Sequence, residues 1–213
     1  MTVGKPKVLL IVGGPFHDGP GAREILQGVL SSGGLLDVTV TDKREVFAPS
    51  TLAGYDAVAI YTTGPGLTDA QLGALLDYVA GGKGLVGIHS AADSFKEHAA
   101  YLAMLGSRFV SHPPFGDVQV NVADQQHPIT RGMGNFAVQD ERYVLELQPE
   151  GLHVLATAAK DGKAETSMYV KQFGGGRVFY CGLGHDRQSH QDEHVGRLYR
   201  RGLQWAAGRD VTA

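Results

Sequence analysis

Apolar positions along the chain alternate between two periods. Val8 to Val12 form an unbroken apolar run closed by Gly13-Gly14, the pattern of a strand buried on both faces. Ala22, Ile25, Leu26, Val29 and Leu30 then recur at helical spacing, and Gly33-Gly34 marks the predicted end of that helix. Residues 36–40 (LDVTV) and 56–64 (DAVAIYTTG) predict a second and a third strand. Thr68-Asp69 is placed to cap a helix carrying Leu72, Leu75, Leu76 and Val79, which Gly81-Gly82 ends. The strand GLVGI (84–88) follows, His89 stands where it stops, and a further helix is predicted through Tyr101, Leu102 and Leu105.

This strand–helix alternation, at roughly 25–30 residues per unit, predicts an α/β fold with a mostly parallel sheet covered by helices on both faces. The middle of the chain is less regular. Residues 116–124 (GDVQVNVAD) alternate like a half-exposed strand, and HVLATA and TSMYVKQF read as further strands. GGGRVFYCGLG (174–184) reads as a hairpin turn entering a last buried strand, and a helix carrying Val195, Leu198, Tyr199, Leu203 and Ala206 closes the chain. There is no internal repeat, linker or low-complexity tract, so residues 1–213 are expected to form one domain.

Composition narrows the function classes. Hydrophobic residues at 43% and charged residues at 19% are ordinary for a soluble globular protein. A net charge of −3 supplies no basic field, which argues against nucleic acid or an anionic membrane as partner. Cys181 is the only cysteine, so no intrachain disulfide can form. The apolar run at the N-terminus is too short for a signal peptide or a span, and a cytoplasmic protein is expected. Self-association is left open.

In open sheets of this kind, ligands bind outside the carboxyl ends of the strands. His17 follows the first predicted strand, His89 the fourth and His185 the last, so three distant histidines are expected at one sheet edge.

The segments GGPFHDGPG, LTDAQLGALLDYVAGGKGLVGIHSAADSF, MLGSRFVSHPP, QHPITRG, QDERYV, HVLAT and GGGRVFYCGLGHD, in this order, resemble the ThuA-like (trehalose utilisation) family from about residue 8 to 208. The resemblance implies a flavodoxin-like doubly wound sheet similar to the class I glutamine amidotransferases. It also implies carbohydrate metabolism, with disaccharides such as trehalose or their keto derivatives as substrates. In the amidotransferases the strand-to-helix elbow reads Gly-x-Cys-x-Gly. The matching positions here are Gly87-Ile88-His89-Ser90-Ala91, with Gly184-His185-Asp186 at the later strand end. The implied triad becomes His89, His185 and Asp186, and without a thiolate a glutaminase thioester cannot form. Cys181 lies four residues before His185, within the strand, and does not replace it.

Imidazoles facing one another across a crevice, with a carboxylate nearby, suit a divalent transition metal. The candidate ligands are His17, His89, His112 and His185, with Asp18, Asp186 and Glu141 to ligate or orient. Zinc, manganese, nickel or iron is the expected cofactor. No nucleotide cofactor is expected: the third glycine of GGPFHDGPG is misplaced for a dinucleotide fingerprint, and GGKG (81–84) ends a helix instead of opening one. His89, His185 and Asp186 are the expected catalytic groups, with Glu141 as general acid or base. Phe16, Asp18, Ser90, Asp93, Phe115 and Tyr143 are expected to contact a sugar, with Tyr61 and Phe95 near the same edge. Asp93 has a competing reading as a helix cap. HQDEH (190–194) matches an inverted zinc-peptidase pattern, but no downstream glutamate completes it, and it is read as chance.

Together these features predict metal-assisted hydrolysis, elimination or isomerisation of a disaccharide or keto-glycoside. A sugar-binding or regulatory module without catalysis, and a metal-free hydrolase using His89 and Asp186, are the rivals.

Overall fold

The computed structural model describes residues 4–17, 19–64, 66–148 and 150–212. The first half of the chain runs β1 (Lys7–Gly13), α1 (Gly19–Ser31), β2 (Asp37–Thr41), α2 (Pro49–Leu52), β3 (Ala57–Thr62), α3 (Asp69–Ala80), β4 (Gly84–Ile88) and α4 (Ala99–Leu105). Six strands follow: β5 (Ser107–Ser111), β6 (Gly116–Val122), β7 (Phe136–Asp140), β8 (Val144–Leu147), β9 (His153–Lys160) and β10 (Lys163–Phe173). Then come β11 (Gly176–Cys181), α5 (Arg187–Gln191) and α6 (Glu193–Ala206).

Nine strands form one sheet in the order β2-β1-β3-β4-β11-β10-β9-β6-β7, and β5 pairs β8 in a separate ribbon. The first five are parallel, in the 2-1-3-4-5 order of a flavodoxin-like doubly wound fold. The remaining four continue the sheet antiparallel. This extension is the irregular middle of the sequence; its strands face solvent on one side and so read as alternating, not continuous, apolar runs.

Parallel strands are buried on both faces because each face has its own helices. Val8, Leu10 and Val12 pack with Leu26 and Leu30 of α1 and Leu198 and Leu203 of α6. Leu9 and Ile11 turn to the other face, with Leu52 of α2, Leu75 and Val79 of α3 and Met104 of α4. Helix α3 starts where expected: Thr68 Oγ1 accepts from the Gln71 N–H, and Gln71 Oε1 accepts from the Thr68 N–H, a reciprocal capping box.

Helix α6 crosses β11 at Gly202, where a Cβ would sit 2.1 Å from Phe179 Cδ1. Gly202→Ala is therefore expected to destabilise by about 1–2 kcal/mol, because overpacking outweighs the helix propensity alanine gains. Urea denaturation at unchanged slope measures it.

Candidate metal centre

Three ligand-bearing residues sit at carboxyl ends of parallel strands, and each position is made by local backbone. His89 ends β4 in a tight 3-10 turn (His89–Asp93) with φ 41°, and His17 follows β1 with φ 67°. Both lie in the left-handed region that side chains with a Cβ seldom adopt, a strain common at functional sites. Gly87 lets the elbow close: a Cβ there would meet Leu105 Cδ1 at 2.6 Å and Tyr180 Cδ2 at 3.0 Å. The Tyr180 hydroxyl donates to the His89 carbonyl at 2.9 Å. The helix expected through Tyr101, Leu102 and Leu105 is α4, and the elbow itself is held by a side chain. Ser94 Oγ donates to the Ser90 and Thr62 carbonyls, and α4 starts only at Ala99, after the N-cap residue His98.

His17, His89 and His185 come together with Glu141, one ligand atom from each, all within 4.8 Å of one another. Their rings are 5.1 Å apart for His17–His89 and His17–His185, and 5.7 Å for His89–His185. His89 Nδ1 lies 2.8 Å from the Gly182 carbonyl, which can only accept, so Nδ1 carries the proton and Nε2 presents a lone pair. That lone pair faces Glu141 Oε2 at 3.5 Å, and His185 Nδ1 lies 3.0 Å from the same oxygen. His17 Nδ1, His89 Nε2 and His185 Nδ1 are buried and make no aligned hydrogen bond.

Buried polar nitrogens are almost always bonded, and these three, grouped with the Glu141 carboxylate, form a set that could share one metal ion. Metal–nitrogen bonds of about 2.1 Å put the ligand atoms of one ion no more than about 4.2 Å apart, a little less than the 4.8 Å span of this set. Three nitrogens and an oxygen without thiolate suit zinc, manganese, nickel or iron.

The electrostatics agree with a cation site. Burial, aided by the charges of His89 and His185, lowers His17 to about 3, so it is neutral and able to ligate. Burial disfavours the Glu141 carboxylate, but the His185 and His89 rings that face it outweigh this and hold Glu141 well below the usual range. Glu141 in turn raises His185 against its burial.

A residue the sequence did not single out joins these segments. Asp140, fully buried at the end of β7, accepts three backbone N–H bonds: Glu141 at 2.7 Å, Gly184 at 2.7 Å and His185 at 3.1 Å. Burial raises its pKa, and the three N–H donors and His89 oppose that rise. Strand β7 lies four places from β11 in sheet order, yet this carboxylate ties its end to the loop carrying His185.

Other expected residues divide. Asp186 is outside the cluster: Oδ1 accepts from the Ser189 N–H at 2.9 Å and caps α5, so the carboxylate facing His89 and His185 is Glu141. His112 also stands outside the four; Nδ1 lies 2.9 Å from the Pro113 carbonyl and 3.4 Å from Glu141 Oε1, at the partly exposed edge. Tyr143 packs its ring 3.9 Å from that of His89, and Phe115 lies 5.5 Å from His185 with 40% exposure. Phe16, beside His17, is exposed. Asp93 pairs with Lys96 and caps no helix. Ser90 is fully buried. Phe95 belongs to the core against Tyr101, and Asp18 lies outside the described residues. Burial pushes the Cys181 thiol up to about 12, so it supplies no thiolate.

The sequence model of the family described as ThuA, trehalose utilisation, matches residues 7–206. The chain belongs to the ThuA family. Among solved structures, a ThuA-like protein from Parabacteroides merdae superimposes on this ThuA chain with TM-score 0.88 at 21% identity, covering 99% of this chain and 93% of the other. A ThuA-like protein from Bacteroides uniformis gives 0.76 at 19% identity, covering 99% and 95%. A cytoplasmic protein from Salmonella typhimurium LT2 gives 0.68 at 17% identity, covering 94% and 99%. At these identities the likeness carries the fold. No curated protein matches this ThuA sequence. No helix among its described residues is long and apolar enough to cross a membrane.

Proposed function

We propose that this ThuA-family chain is a metal-dependent enzyme of carbohydrate metabolism, with His17, His89, His185 and Glu141 as ligands. The observation that carries this reading is the convergence of three buried, unbonded imidazole nitrogens on the Glu141 carboxylate. A bound ion would polarise a sugar carbonyl or make a water acidic, the chemistry needed to hydrolyse, eliminate from or isomerise a disaccharide or keto-glycoside. Four protein donors close a tetrahedral zinc site but leave positions free on a six-coordinate ion, which favours manganese, iron or nickel.

The chain's own groups have distinct tasks in this scheme. The Gly182 carbonyl fixes the His89 tautomer and so turns the Nε2 lone pair toward Glu141, where it would hold an ion. Asp140 sets the spacing of Glu141 and His185. His112, half-exposed beside Glu141 Oε1, is placed to hold a proton at the edge of the site. Phe16 and Phe115 offer apolar faces to the C–H side of a sugar ring. The family description makes trehalose the first substrate to try, with a keto derivative second on the resemblance, and the cytoplasm is the compartment we propose.

Elemental analysis of protein purified without chelator tests this reading. Near one equivalent of manganese, iron, nickel or zinc per chain is expected, falling to background in His89→Ala. Turnover of trehalose or its keto derivative should stop on chelation and return with metal. Metal at background in the wild type overturns the reading; saturable sugar binding without turnover makes the chain a binding module.

A further inference from the structure

His190 belongs to no part of the proposed metal centre, yet it is a buried histidine with an orphan nitrogen. The Tyr199 hydroxyl donates to the Leu183 carbonyl at 2.9 Å, so its oxygen is left to accept from His190 Nδ1 at 3.3 Å. That assigns the proton to Nδ1 and leaves Nε2 as a lone pair. Nε2 is buried and has no hydrogen-bond partner. The arrangement is built, not incidental: Gly184, at φ 117°, leaves room for it, since a Cβ there would lie 2.2 Å from the Tyr199 hydroxyl and 2.9 Å from His190 Cε1. Burial lowers His190 to about 3, so the ring stays neutral and can only accept at Nε2.

His190 is also among the residues lining a cavity of about 380 Å³, in the size range of small-molecule pockets. Its apolar wall is Ala22, Ile25 and the ring of Tyr61, which meets His190 edge-on at 4.8 Å. Its polar wall includes His17 and His185, so the cavity adjoins the four-residue cluster directly. Asp186 and Arg187 lie at its polar side as well. Apolar and hydrogen-bonding groups mixed at this scale suit a hydroxylated ring, not a purely apolar ligand.

We infer that this cavity is the subsite for one sugar ring of the substrate, and that His190 Nε2 accepts a hydrogen bond from a ring hydroxyl there. The inference rests on the metal-dependent reading above. It makes His190 a specificity residue: a deoxy ring leaves the buried acceptor unpaired and binds worse.

Two substitutions separate this role from a structural one. His190→Asn keeps a donor near Nδ1 for Tyr199 and removes the acceptor at Nε2. His190→Gln places a carbonyl oxygen near Nε2 and gives up the Tyr199 bond. Metal-loaded wild type and both variants are titrated with D-glucose and with trehalose by calorimetry, with bound metal measured in each. The wild type should bind at least one of the two sugars. The Asn variant should bind it at least about tenfold more weakly, and the Gln variant within about threefold. Metal near one equivalent in all three keeps this test separate from that of the metal centre. Neither sugar binding to the metal-loaded wild type, wild-type affinity in the Asn variant, or a Gln variant as weak as the Asn variant overturns the inference.

Discussion

Asp140→Ala is expected to lower the unfolding free energy by about 3 kcal/mol or more, and to weaken metal binding on top of that. The carboxylate is fully buried and accepts from three main-chain donors, those of Glu141, Gly184 and His185. Alanine removes every acceptor at once and leaves three N–H groups unpaired, two of them in buried bonds and that of His185 in a part-buried one. Each buried donor left unpaired costs about 1–3 kcal/mol. Asp140→Asn keeps one carbonyl oxygen and should fall between the two. The comparison that gives the number meaning is Asp186→Ala, which removes a helix cap at a part-exposed position and should cost only about 1 kcal/mol. Urea denaturation of chelated protein reads the stability. Competition with a chromophoric chelator reads the metal, where an outer-shell loss of about 10–100-fold is expected. A stability within about 1 kcal/mol of wild type would mean that the loop finds other acceptors, and Asp140 would lose its positioning role.

The parallel half of this fold was legible because nature buries such strands on both faces, and Val8–Val12 or GLVGI then appear as continuous apolar runs punctuated by glycine. Strand ends can therefore be counted along the sequence, which puts His17, His89 and His185 at one sheet edge. The antiparallel half was harder. Its strands alternate, its edge strand β7 returns to the site through the Asp140 hydrogen bonds, and no periodicity announces that return. Glu141 was visible only as a carboxylate after an irregular stretch, and its neighbour Asp140 was not visible at all.

Proximity along the chain misled in the opposite sense. Asp186 sits next to His185, but the pattern Asp186-Arg187-Gln188-Ser189 is also a helix start, and the cap takes the side chain. Position along the chain does not say which way a side chain leaves it. His190 shows the same limit: the zinc-motif match of HQDEH is a chance one, His194 stacking on Phe136, but nothing in the pattern says that His190 turns to Tyr61 and Tyr199. What could have flagged it is the glycine pair around Leu183. Gly184 is needed because the Tyr199 hydroxyl and the His190 ring occupy the volume a Cβ would fill.

Acidification of the chelated protein should reveal His190 as a large, single-residue contribution to stability. In the unfolded chain a histidine takes up its proton near pH 6.5, whereas in the fold burial, and then the charges of His89, His17 and His185, lower His190 to about 3. Above about pH 6.5 both states hold it neutral and it contributes no slope. Between those values the unfolded state binds one proton more than the folded state, so stability falls as pH falls, by roughly 4–5 kcal/mol over the whole window. Glu141 acts lower down: its depressed pKa gives stability that is present above the unfolded carboxylate value and is lost as pH drops through the folded one. The two limbs therefore separate, the histidine limb beginning near pH 6.5 and the carboxylate limb below about pH 4.5. His190→Gln should make the first limb shallower, leaving the share that His17 contributes over the same window, and should leave the second limb in place; its difference from wild type isolates the His190 share. Urea midpoints between about pH 7 and pH 4 measure it. Equal slopes for variant and wild type would show that the His190 ring takes its proton in the folded state as readily as in the unfolded one.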